Sequence, residues 1–75
     1  MAIDELGLKL KEMYNSAPGG EQATFIHLFG IKYGELILNN RYSIAEIVKK
    51  AGIQDSYKTE VRKGVKLSKY VTVKI

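Results

Sequence analysis

The chain has 75 residues, no cysteine, and twelve Lys or Arg against eight acids. A domain of this size buries only about 60% of the surface its unfolded chain exposes, and without cysteine neither a disulfide nor a thiolate metal site can reinforce it. Met1-Ala2-Ile3-Asp4-Glu5 lacks the basic start and apolar run of a secretory signal. No apolar stretch approaches the roughly 20 residues that span a bilayer, so a single soluble, cytoplasmic domain over residues 1–75 is expected.

The charge is unevenly divided. Residues 1–40 carry three lysines against five acids, a balance of −2, whereas residues 41–75 carry nine Lys or Arg against three acids, a balance of +6. Such a change of sign within one small domain suggests that the second half faces an anionic partner, nucleic acid or an acidic membrane surface. A lysine-rich face that serves solubility has the same composition.

At about 100° per residue, Ile3, Leu6, Leu10, Met13 and Tyr14 fall in one arc while Asp4, Glu5, Lys11 and Glu12 fall outside it. An amphipathic helix over 3–15 follows, with Leu8 alone among the polar residues. Ser16-Ala17-Pro18-Gly19-Gly20 stops it, because proline lacks the amide donor and the paired glycines favour open backbone. The segment lacks the lysine and hydroxyl spacing of a phosphate-binding loop.

A second helix is expected over 21–29 with Phe25, Ile26, Leu28 and Phe29 inward, ended by Gly30. A third runs over 32–38, burying Tyr33, Leu36 and Ile37 and closed by Asn39-Asn40. Gly30 and Gly34, four residues apart, are read as a break accompanied by a tight crossing.

Ser43-Ile44-Ala45-Glu46 is a helix-start signal, since the serine can cap the first free amides and the glutamate can bond back to it. Ile44, Ile47, Val48 and Ala51 share the inner face of the short helix that follows; Glu46, Lys49 and Lys50 take the other. Gly52 can adopt the left-handed conformation that ends it, with Ile53 folding back as an apolar clasp. Asp55 or Ser56 then caps a helix from Tyr57 to about Lys69. Tyr57, Val61, Gly64, Val65 and Ser68 occupy one side of it. Lys58, Thr59, Arg62, Lys63, Lys66 and Lys69 crowd the other, and Glu60 sits at the boundary near Leu67. Together with Lys49, Lys50 and Ser56, that arc is the candidate nucleic-acid surface, offering cations and hydroxyls to phosphates and base edges.

Ile47, Ala51, Gly52 and Ile53 resemble the helix-turn-helix pattern of bacterial regulators, in which an apolar residue, a small residue, a turn glycine and a following apolar residue recur. Val61 matches one member of the apolar pair that anchors the second helix, but Lys58 occupies the other position, so a longer turn with Tyr57 as anchor is expected. The whole chain also resembles small bacterial proteins with an HTH-like domain, through Ile26-His27-Leu28-Phe29-Gly30-Ile31-Lys32-Tyr33, Ala51-Gly52-Ile53 and Ser56-Tyr57. The resemblance implies a fold and carries no activity with it.

From Tyr70 to Ile75, Val71, Val73 and Ile75 alternate with Tyr70, Thr72 and Lys74, the period of a strand with one buried face. Its partner would be Arg41-Tyr42-Ser43, giving a wing-like ribbon, or a second copy of the chain. The fold expected is therefore mostly α: a bundle of four to five helices with a helix-turn-helix-like unit and a short C-terminal strand.

Catalysis is not expected. His27 falls among polar neighbours, away from any fixed carboxylate or nucleophile, and the scattered acids offer no metal-ligand spacing, so no cofactor is expected. Two functions remain, a duplex DNA-binding module without a membrane role and a protein-interaction or homodimerisation domain. RNA binding is less favoured because few tyrosines lie near the basic arc.

Overall fold

The computed structural model describes residues 1–74. It contains four helices, α1 (Ile3–Ser16), α2 (Gln22–Asn40), α3 (Ile44–Ala51) and α4 (Lys58–Leu67), with a single 3₁₀ turn, Asp55–Tyr57, leading into α4.

α1 follows its amphipathic pattern. Leu6 and Leu10 are fully buried, Leu8 is exposed, and the Glu5 carboxylate accepts the Ala2 amide (3.0 Å), satisfying one donor at the helix start. Ser43 caps α3 as expected, its hydroxyl accepting the Glu46 amide at 3.2 Å. The hydrogen bonds among the described residues do not include the return bond from Glu46.

The break at Gly30 is not formed. α2 runs unbroken for 19 residues, and Gly30 and Gly34 are buried within it. Each glycine weakens a helix by about 1 kcal/mol relative to alanine, a cost offset here by contact with α4. A Cβ on Gly30 would lie 2.5 Å from the Val61 carbonyl oxygen and 2.9 Å from the Gly64 Cα, and one on Gly64 would collide with the His27 carbonyl oxygen. Gly34 meets Ser68 in the same way, one turn further along both helices. The small residues at 30, 34, 64 and 68 thus let two parallel helices touch backbone to backbone, so the tight crossing is present and the break is not. The left-handed residue that closes α2 is Arg41 (φ 55°) rather than Asn39 or Asn40, and Tyr42 donates its amide to the Ile37 carbonyl (3.0 Å).

The packing is interleaved. α2 lies chiefly along α4 and α1 chiefly along α3, with a smaller contact between α1 and α2 and a slighter one between α3 and α4. Leu6 and Leu10, Ile26, Phe29 and Ile37, Ile47, Val48 and Ala51, and Val61 and Val65 bring all four helices into one core.

The expected C-terminal strand is absent among the described residues. After the turn at Ser68–Tyr70, residues 71–74 carry no regular structure, and Ile75 lies outside the described residues. The proposed ribbon partner is otherwise engaged: Arg41 caps α2, and the Tyr42 hydroxyl donates to the Met1 carbonyl at 2.6 Å. The segment instead borders a shallow cleft against α2, where Val71, Thr72 and Val73 face Ile31, Lys32 and Glu35.

Candidate nucleic-acid interface

The turn between α3 and α4 sets the outward face of α4. Gly52 adopts φ 72° and its amide donates to the Lys49 carbonyl (3.1 Å), reversing the chain at once. Ile53 returns to the core, and the 3₁₀ turn places Tyr57 against it too. The longer turn implied by Lys58 at an anchor position is therefore present, with Tyr57 as the anchor. Tyr57 meets Tyr14 of α1 edge to face, ring centroids 5.6 Å apart. A hydrogen bond with Tyr14, followed by desolvation and the charges of Tyr14 and Glu60, raises the Tyr57 phenol above its ordinary value, which keeps it neutral at this junction.

Val61, Gly64 and Val65 are buried, and their burial fixes the rotation of α4 about its axis. Thr59, Arg62, Lys63 and Lys66 point the opposite way and are exposed. Ser56, in the 3₁₀ turn, is exposed as well. Lys69 is exposed but lies in the turn after α4, which ends two residues earlier than expected. Lys49 and Lys50 are exposed in the last turn of α3, where a cation also complements the partial negative charge of the helix end.

Ion pairing divides these cations. Lys58 leans on Asp55 (3.0 Å) and is half-buried, so it leaves the open arc. Lys50 reaches Asp4 of α1 (3.3 Å), and Lys63 lies 3.9 Å from Glu60. Lys49, Arg62, Lys66 and Lys69 have no acid within 4.0 Å among the described residues. The candidate surface is thus a smaller set of free cations than its composition suggests.

His27 departs from expectation. It stands beside a fixed carboxylate, its Nδ1 lying 3.1 Å from Glu60 Oε2, with roughly a quarter to a third of each side chain exposed. The pair links α2 to the flank of α4 one turn before the glycine crossing. Glu60 and Lys63 are three apart and readable as helix neighbours. His27 is brought to Glu60 only by the parallel packing of α2 and α4, for which the sequence holds no local signal. Among the described residues no group of three or more His, Asp or Glu could hold a metal ion.

A short capped helix, a left-handed glycine turn and a second helix with a solvent-facing basic arc make up a helix-turn-helix-like unit. The sequence model of a family described as an HTH-like domain matches residues 2–74, and the chain belongs to that family. No curated protein and no solved structure matches it. No described helix is long and apolar enough to cross a membrane.

Proposed function

We propose that this protein binds duplex DNA by laying the outer face of α4 against it, as a cytoplasmic binding module rather than an enzyme. The observation that carries the reading is the position of Arg62 and Lys66: exposed, unpaired among the described residues, and opposite the buried face of the second helix of an HTH-like unit. Lys49 and Lys69 extend the free positive charge beyond α4, and phosphate contacts of this kind supply most of the affinity for nucleic acid. Duplex DNA is favoured over RNA because the aromatic side chains are committed elsewhere. Tyr14 and Tyr57 face each other, Tyr33 packs on Phe29, Tyr42 bonds to Met1, and Tyr70 alone is 82% exposed, where single-stranded RNA needs stacking platforms. The sole histidine bridges two helices at the flank of α4, which suits a structural role.

The test is equilibrium binding to random duplexes at several salt concentrations. Affinity should fall steeply with salt, log affinity against log salt having a slope of about −0.9 per neutralised phosphate. Absence of binding to any duplex or single strand at low ionic strength would overturn the reading.

A second reading, self-association, has one observation in its favour. Leu67, Tyr70 and Val71 are all exposed at the end of α4 and beyond it, a run of apolar surface that a second copy could cover. Solution mass measured across a concentration series tests it, and a monomer throughout would remove it.

A further inference from the structure

We infer that Arg62 reads a guanine in the major groove while the free lysines hold phosphates. The inference rests on the duplex-binding reading above and deepens it by naming the base and the residue.

Position along the helix is the first argument. At 1.5 Å per residue, Thr59 to Lys66 spans about 10 Å of α4, comparable with the roughly 12 Å width of the major groove. Arg62 lies inside that span with Thr59 and Lys66 on either side. Lys69 lies beyond the end of the helix, and Lys49 lies on α3.

Availability is the second. Lys58 would have to leave Asp55, and Lys63 lies near Glu60, which His27 holds at 3.1 Å. Arg62 has no such partner among the described residues and faces solvent, so no ion pair is broken when it engages a base. Burial of Val61 and Val65 on either side of it along the chain keeps it aimed outward.

The third is chemical. Arg62 is the only guanidinium on the arc; the other arginine, Arg41, caps α2. A planar fork of donors matches the N7 and O6 acceptors of guanine at once, whereas a lysine ammonium is a point charge that suits phosphate and selects bases poorly.

The experiment selects duplexes from a randomised pool with the parent protein. Parent, Arg62→Lys and Lys66→Gln are then compared on the selected duplex, on random duplex, and on the selected duplex with 7-deazaguanine at the enriched position, which lacks the N7 acceptor. The selected pool should hold a guanine at one fixed position, and 7-deazaguanine there should weaken the parent roughly five- to hundredfold. Arg62→Lys keeps the charge, so random-duplex affinity and salt slope should stay within about twofold while the guanine preference is lost. It should show no further loss on 7-deazaguanine. Lys66→Gln should weaken all duplexes alike and leave the preference intact. A thermal melt of each variant, expected at the parent's midpoint, separates these outcomes from misfolding. If Arg62→Lys retains the guanine preference, or the selected pool contains no fixed guanine, the role of Arg62 is overturned and duplex binding stands. A parent that binds no duplex overturns both.

Discussion

Gly52 and Arg41 each end a helix in the left-handed region, at φ 72° and 55°, and the two positions call for opposite substitutions. A Cβ at Gly52 would meet nothing within 4 Å, so any loss there comes from the backbone alone. Gly52→Val should destabilise by more than about 1 kcal/mol, because a β-branched residue fits the left-handed region poorly. Arg41 already carries that strain in its side-chain-bearing form, and Arg41→Gly should stabilise by about 0.5–1 kcal/mol. Ser43→Ala removes the hydroxyl that accepts the Glu46 amide and should cost about 1 kcal/mol. Chemical denaturation of the three variants reads all these values. A Gly52→Val protein as stable as the parent would remove the glycine-terminated turn from the account.

Between elements, the contact of α2 with α4 is decided by what is missing from Gly30 and Gly64. Alanine at an interior helix glycine gains about 1 kcal/mol of propensity. A Cβ on Gly64, however, meets the His27 carbonyl oxygen, the Gly30 Cα at 2.9 Å and the Ile31 amide nitrogen at 3.1 Å. These are backbone atoms and can yield only if a whole helix moves. Overpacking of that kind costs up to about 3 kcal/mol, so Gly64→Ala should lose about 2 kcal/mol net, whereas Gly19→Ala, with open space around it, should be close to neutral. Thermal melts of the two variants make the comparison. The same pair explains why α2 was misread as two helices. Gly30 reads as a stop when only its neighbours in the chain are considered, and its reason for being glycine is a residue on another helix. α1 and α3 were legible because their signals are local: a solvent-facing acid stripe, a serine cap, a glycine at the end. The long turn anchored by Tyr57 was legible from Lys58 at an apolar position. Val71 and Val73 have the period of a strand, but a strand also needs a partner backbone, and Arg41 and Tyr42, the nearest candidates, are committed to capping α2 and bonding Met1. The basic arc was readable from helical phase; the diversion of Lys58 and Lys63 by acids was only partly so, and the His27–Glu60 pair was not.

For the whole molecule, placement of charge can be separated from its amount. Arg62→Ala with Lys66→Ala and Lys9→Ala with Lys11→Ala remove the same charge, all four residues being exposed. With α4 against the duplex, the first double should weaken binding strongly and lower the salt slope by about two, whereas the second should change little. Neither should shift the melting midpoint appreciably, since surface substitutions of this kind usually stay within about 0.5 kcal/mol. Equal, small losses would mean that net charge alone draws the DNA and that Arg62 and Lys66 are not contacts.

The interleaved packing also bears on how the chain could be divided. Cutting between Asn40 and Arg41 gives one peptide with α1 and α2 and another with α3 and α4, so each loses the principal partner of both its helices. Alone, each peptide should be largely unstructured, since isolated helices of this length are marginal in water. They also divide the charge, one at −2 and the other at +6, so they attract as well as complement each other. Mixed in equal amounts, the two should reconstitute the four-helix core, with helical circular dichroism rising well above the sum of the separate spectra. The molecule would then behave as an obligate heterodimer written as one chain, in which the acidic half acts as a folding template for the half that carries the DNA-facing helix.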